Sequence, residues 1–303
     1  MKILVTGGAG FIGSHVVDRY VDLGHEVAVI DNLSTGFEKN LNAKAKFFKA
    51  DIRELEKIYE IVGDFKPDVI NHHAALAEVT KSIENPSDTL AVNVMGTANV
   101  LLAGGKASIK HFIFSSTGGA IYGDPVHLPA DESCKPAPLS PYGLSKLLGE
   151  NIIEFYARIY GLTYTIFRYS NVYGPRQNPG GEAGVVAIFT NLIKSGTRPT
   201  IFGDGSKTRD YVYVGDIVSA NELALDTTEN NLLNLGWGKE ISDQEIFDAI
   251  ASALNFSEDS IYAPFREGEV SKISLDSTKA RKILGWVPKV NITEGINITT
   301  KCY

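Results

Sequence analysis

The ten residues TGGAGFIGSH, Thr6 to His15, leave this chain few ways to fold. An apolar run, Lys2 to Val5, precedes them, and an amphipathic stretch from Phe11 to Leu23 follows. The order predicted is strand, glycine turn, helix. Gly7, Gly10 and Gly13 recur at every third position. In such a turn the first glycine permits the bend, the second lets a pyrophosphate approach the backbone, and the third lets helix and strand pack closely. The helix start at Phe11 and Ile12 offers free amides and a positive dipole end to that pyrophosphate. A second strand, EVAVID, ends in Asp31, about where an acid accepts from an adenosine ribose. Asn32 follows it rather than a basic residue, so a 2'-phosphate would meet only like charge. The expectation is an α/β protein, a Rossmann-type doubly wound parallel sheet, with NAD as cofactor.

Further strands continue the alternation. KFFKAD ends at Asp51, which with Ile52 either edges the adenine or caps the helix from Leu55 to Val62. PDVINHHAAL carries His72 and His73. Adjacent strand residues point to opposite faces, so the pair reads as structural rather than as a metal site. Ala74 and Ala75 are small enough for a cofactor to lie against their backbone. Asn93 opens the inner part of a helix reaching Gly104. HFIFSS, a buried strand, leads to Thr117.

The segment PYGLSK predicts a helix start, with Ser140 as cap and Pro141 in the first turn. Tyr142 and Lys146 are one helical turn apart and share a face. An ammonium beside a phenol favours the phenolate, so Tyr142 can exchange a proton near neutral pH. The Thr117 hydroxyl can hydrogen-bond the same substrate oxygen. Between them, Gly123 to Pro141 is rich in proline and acid and reads as a loop.

Residues 1–177 form the expected nucleotide-binding domain with the catalytic residues. Residues 178–303 form a smaller, interleaved α/β substrate lobe with segments returning to the first. That lobe holds Arg209, between a glycine turn and the alternating DYVYV, with Asp216 expected to cap the helix from Ile217 to Leu225. Arg266 lies in PFREGEV. A guanidinium forks well onto phosphate, so two arginines beside a dinucleotide domain suggest a diphosphate in the substrate. The chain of 303 residues has 29 basic and 36 acidic side chains, a net charge of -7. This argues against nucleic-acid or anionic-membrane partners. Cys134 and Cys302 are far apart in sequence and in no metal spacing. A reducing, cytoplasmic location without a signal peptide or membrane span is expected.

These motifs, with NVMGT, RYSNVYGPRQ, GDGSKTRDYVYVGDI and LGWVP, stand in one order along nearly the whole chain. The set resembles the extended short-chain dehydrogenase/reductases that epimerise nucleotide sugars. The resemblance implies reversible inversion of C4 of a UDP-hexose through a 4-keto sugar. Tyr142 would take the proton of the 4-hydroxyl, Lys146 would lower the tyrosine pKa and hold the nicotinamide ribose, and Thr117 would bond the 4-oxygen. Tyr169 would lie near the nicotinamide. Asn171 and Glu269 would contact substrate, and Arg209 and Arg266 its diphosphate. A homodimer through the helices around Asn93 to Gly104 and Tyr142 to Tyr160 is implied too; the apolar stripe of Leu147, Ile152 and Phe155 on the second either serves such an interface or is core. Related dehydratases carry an acid just after the Thr117 position, whereas this chain has Gly118, Gly119 and Ala120. Ile273 stands where some epimerases have a bulky tyrosine, and the smaller side chain would admit an N-acetyl group at C2; a UDP-uronic acid is a separate alternative substrate. A non-catalytic NAD-binding regulator usually lacks the tyrosine or the lysine.

Overall fold

The computed structural model describes residues 1–180, 184–265 and 270–303. The chain forms two units. The first comprises Met1–Thr117, Ser140–Arg168 and Val218–Leu233, and the second Gly118–Leu139, Tyr169–Ile217 and Asn234–Tyr303.

The first unit is built on parallel strands. They are β1 (Lys2–Thr6), β2 (Glu26–Asp31), β3 (Lys46–Lys49), β4 (Val69–His72), β5 (His111–Thr117) and β6 (Thr163–Tyr169). The sheet order is β6-β5-β4-β1-β2-β3, with Asn231–Leu235 beyond β6. Pairing is parallel from β3 to β5. Ile3, Leu4 and Val5 are wholly buried, because helices cover both faces of a parallel sheet and its strands are apolar on both sides. The chain changes direction across the sheet between the neighbours β1 and β4, so a crevice opens beyond their carboxyl ends.

Helix α1 (Phe11–Asp22) starts at Gly10 without a side-chain cap and buries Val16, Val17 and Tyr20. It ends in a Schellman turn: Gly24 N–H donates to Val21 O at 2.9 Å and His25 N–H to Tyr20 O at 3.1 Å. Helix α2 (Leu55–Phe65) turns Ile58, Ile61, Val62 and Phe65 into the core shared with Leu101, Phe112, Phe114 and Ile153. The residue flanking it is Glu54, not Asp51. Asp51 instead accepts from Arg53 N–H at 2.9 Å and from the Arg53 guanidinium at 2.8 Å, which overturns its capping role. Between β4 and β5, Ala91–Gly96 forms a π-helical turn and Thr97–Lys106 an α-helix, so Asn93 lies inside a continuous helical run that passes Gly104.

The second unit uses short ladders instead of one sheet. Asn171–Tyr173 pairs with Tyr211–Tyr213, Thr208–Arg209 with Ile241–Ser242, and Thr200–Phe202 with Ile261–Ala263. Phe189, Ile201, Tyr211, Phe247 and Ile250 form its core. The Val214–Leu223 helix contains Asp216 within its first turn, so Asp216 is not its cap. Its carboxylate accepts from Val290 N–H at 3.1 Å, and its carbonyl from Trp286 Nε1 at 2.8 Å.

Candidate active site

The glycine turn shows why its residues are small. Gly7 has φ +71°, and a Cβ there would lie 2.6 Å from the Ala74 amide nitrogen. At Gly13 a Cβ would collide with the Gly7 carbonyl. The turn is therefore packed against both the end of β4 and the start of α1. A Cβ at Gly10 would meet only Gly7 O, at 3.1 Å, so that side of its backbone is otherwise open. Asp31 is buried, accepting from Ala9 N–H at 3.0 Å and Leu33 N–H at 2.8 Å. One carboxylate thus ties the turn to β2, and each oxygen keeps a lone pair for a ribose hydroxyl. An approachable glycine backbone, an uncapped 12-residue helix start and a buried acid at the crevice are the features an NAD pyrophosphate and ribose need. The residues fit that cofactor.

The remaining cofactor candidates are placed variously. Asn32 donates to Asp51 at 2.9 Å. Arg53 holds the Asp51 carboxyl down at about 2. Ile52 is buried against Gly96, whose Cβ would reach it at 2.5 Å. Ala74 N–H donates to Thr6 Oγ1 at 3.3 Å, and Ala75, Phe11 and Ile12 are partly buried. Asn93 holds the backbone of Leu76 at both ends: its Oδ1 accepts from Leu76 N–H at 2.8 Å and its Nδ2 donates to Leu76 O at 2.9 Å. Nδ2 also donates to Ser145 Oγ at 2.9 Å, tying the π-helical turn to the helix of Tyr142.

That helix, Pro141–Tyr160, begins as the cap predicts: Ser140 Oγ accepts from Gly143 N–H at 3.1 Å. Tyr142 is partly buried, and Lys146 lies one turn on. Lys146 is 4 % exposed. Its Nζ donates to Ser115 O at 2.8 Å and lies 4.9 Å from the centre of the Phe114 ring. Burial brings this amine down to about 7, with Glu150 acting in the opposite sense. Thr117, at the end of β5, is buried two residues beyond the carbonyl that Lys146 grips. Tyr142, Lys146 and Thr117 are thus carried by two elements that the Lys146–Ser115 hydrogen bond helps to join.

His72 is spent on structure. Its Nδ1 meets Thr6 Oγ1 at 2.6 Å and its Nε2 meets Thr97 Oγ1 at 2.9 Å, while burial holds its pKa well below normal. His73 is pushed down to about 3 by burial. Among the described residues no cluster of three His, Cys, Asp or Glu could hold a metal.

Besides Thr117 and Tyr142 of the first unit, the second unit holds substrate candidates. Asn171 pairs with Tyr211, its N–H donating to Asp210 O at 2.8 Å. Arg209 Nη1 donates to Thr208 O at 2.8 Å and Ser271 O at 3.4 Å, which stiffens the guanidinium. Tyr169 is buried. Arg266 and Glu269 lie outside the described residues. Ser116, Glu150 and Arg168 stand in no motif that marks them as site residues. Only the i, i+4 spacing of Lys146 and Glu150 could have signalled them.

Residues 3–236 match the NAD dependent epimerase/dehydratase family. A Thermotoga maritima UDP-glucose 4-epimerase solved with UDP-glucose is 46% identical, covers 100% of this chain and 98% of its own, and has a TM-score of 0.98. A Thermus thermophilus UDP-glucose 4-epimerase solved with NAD is 42% identical with a TM-score of 0.96, covering 100% and 98%. A UDP-N-acetylglucosamine 4-epimerase from Methanobrevibacter ruminantium is 34% identical with a TM-score of 0.93, covering 99% and 97%.

Proposed function

Because the chain belongs to the NAD-dependent epimerase/dehydratase family and takes NAD as its cofactor, we propose that it interconverts UDP-galactose and UDP-glucose by inverting C4 through a 4-keto sugar. The observation that carries this reading is the buried Lys146 one helical turn from Tyr142, held to the strand that ends in Thr117. When bound, NAD supplies reversible hydride acceptance at C4. Tyr142 takes the 4-hydroxyl proton and returns it. Lys146, as its ammonium, favours the phenolate. Thr117 bonds the 4-oxygen. Asn171 is assigned to substrate contact, and Arg209, with Arg266, to the diphosphate of the substrate. Glu269, which with Arg266 lies outside the described residues, is assigned to substrate contact, and Tyr169 is placed near the nicotinamide.

Only reversible redox at one carbon and one proton shuttle are needed, so no additional acid is required. Gly118 is consistent with that economy. A side chain there would have to displace Leu275, so an acid next to Thr117 would require repacking. The homodimer reading draws support from Met95, Phe155 and Ile159, which are 60%, 50% and 56% exposed on the helical segments implied by the family resemblance. Ile152 instead packs on the core and Leu147 is half-buried. No helix of the described residues is long and apolar enough to cross a membrane, and Cys134 and Cys302 are free thiols, which supports a reducing, cytoplasmic location.

The test is to follow UDP-galactose by proton NMR with the purified protein. UDP-glucose is expected to form, and Tyr142→Phe should cut the rate by about 10²–10⁴-fold. An inert protein with NAD supplied would overturn the substrate. Turnover of UDP-N-acetylgalactosamine instead would favour the N-acetylated reading, which the Methanobrevibacter neighbour supports.

A further inference from the structure

Glu150 follows Lys146 by one further helical turn, so Tyr142, Lys146 and Glu150 fall on one face of the Pro141–Tyr160 helix. Unlike the first two, Glu150 has no part in the chemistry so far described. It is 4 % exposed and fully engaged. Arg168 of β6, itself 3 % exposed, donates Nε to Glu150 Oε1 at 3.0 Å and Nη2 to Oε2 at 2.6 Å. Ser116 Oγ donates to Oε1 at 2.5 Å. Ser116 lies between Ser115, whose carbonyl holds Lys146, and Thr117. Two adjacent residues of β5 are therefore bonded to two side chains one turn apart on the helix. A buried carboxylate is costly to leave unpaired, and a bidentate guanidinium is the partner that fixes its orientation most firmly.

We propose that Glu150, held by Arg168, is a positioning residue of the reaction: it docks the helix bearing Tyr142 and Lys146 onto the strand end bearing Thr117, and it supplies the carboxylate that faces Lys146. This rests on the catalytic reading of Tyr142 and Lys146. The groups facing Lys146 are Tyr142 and Glu150 on its own helix, His72 and His73 at the end of β4, the Phe114 ring and Ser115 carbonyl of β5, and Arg168 of β6 beyond Glu150. Burial keeps both histidines neutral, leaving Glu150 as the charged group that favours the ammonium, beside the Ser115 carbonyl and the Phe114 ring. Turnover needs that ammonium, so it fails on the alkaline side where Lys146 loses its proton.

The test compares Glu150→Gln and the double variant Glu150→Met/Arg168→Met with the unmodified holoenzyme, using UDP-galactose. The double variant removes the whole pair and keeps an apolar, close-packed interior, a replacement that buried pairs tolerate. For Glu150→Gln, kcat at pH 8 should fall about tenfold or more, KM should change less, and the alkaline limb should move to lower pH. The double variant should show a smaller shift in the same direction, because Arg168 and its repulsion leave with the carboxylate. Independently of turnover, ¹⁵N NMR of labelled lysine should show Lys146 Nζ titrating at lower pH in Glu150→Gln. A double variant with unchanged kcat and limb, or a Glu150→Gln that is merely less stable with its limb unmoved, overturns the proposal. Tyr142→Phe and Lys146→Met are assayed alongside. Full activity in those two would sink the catalytic reading itself, which separates the two failures.

Discussion

Glu150 in the first unit and Asp210 in the second are both buried carboxylates, and they are held in opposite ways. Glu150 faces a full positive charge, the Arg168 guanidinium, across two parallel hydrogen bonds. Asp210 is held by backbone amides: Trp237 N–H at 2.8 Å, Gly238 N–H at 2.9 Å and Leu275 N–H at 3.0 Å. Those amides draw the Asp210 pKa down, but burial outweighs them and pushes it up to about 6. Partial charges orient a carboxylate without repaying all of its lost hydration. The difference follows what each group joins. Glu150 links a helix to two regular strands, where side chains can meet. Asp210 gathers irregular segments around Gly236 and Leu275, where the unmet hydrogen-bond donors belong to the backbone.

The largest expected effect comes from breaking the charged pair on one side. Arg168→Met leaves Glu150 buried without its cation and should cost about 3–5 kcal/mol in urea unfolding, whereas Glu150→Met/Arg168→Met should stay within about 2 kcal/mol of the parent. A cost below about 1 kcal/mol for Arg168→Met would show that the pair is solvated and the contrast with Asp210 false.

Asp210 gives the next effect, and its sign can be worked out. Below the ordinary 3.8 both folded and unfolded chains carry the proton. Between there and about 6 only the folded chain keeps it, and above that neither does. The contribution of Asp210 to stability therefore falls as pH rises through this window, by roughly 3 kcal/mol. Asp210→Asn should lack that decline. Comparing urea midpoints of parent and variant at pH 4.5 and pH 7 measures it, and parallel shifts in the two proteins would refute it.

The smallest effects contrast the helix caps. Ser140 Oγ accepts from Gly143 N–H at 3.1 Å, and Ser242 Oγ accepts from Glu245 N–H at 3.1 Å in a reciprocal capping box. Ser140→Ala and Ser242→Ala should each cost about 1 kcal/mol by thermal or urea unfolding. Turnover should fall only for Ser140→Ala, because its helix carries Tyr142 in its first turn.

The first unit was largely legible in the sequence because its signals are local. TGGAGFIGSH announces strand, turn and helix within a few residues, and Ser140-Pro141 marks the helix start that positions Tyr142 and Lys146. The roles of Asp51 and Asp216 were less legible. Both sit close to a helix start and look like caps, yet Asp51 turns to Arg53 and Asp216 to Val290, a partner 74 residues away. Short-range spacing cannot distinguish a side chain that reaches its own helix from one claimed by another segment.

The sequence by itself determined the parallel α/β order, the glycine turn with Asp31, and the shared face of Tyr142 and Lys146. All of these follow from backbone periodicity and the steric needs of a few residues. Tertiary structure alone decided that Lys146 is buried against Ser115 and Phe114, that Glu150 is matched with Arg168, and that Asp210 receives three amides from distant loops. Burial and charge pairing depend on which segments meet in space, and desolvation, which moves Lys146 and Asp210 so far from their ordinary pKa values, arises only when the surrounding chain has closed over them.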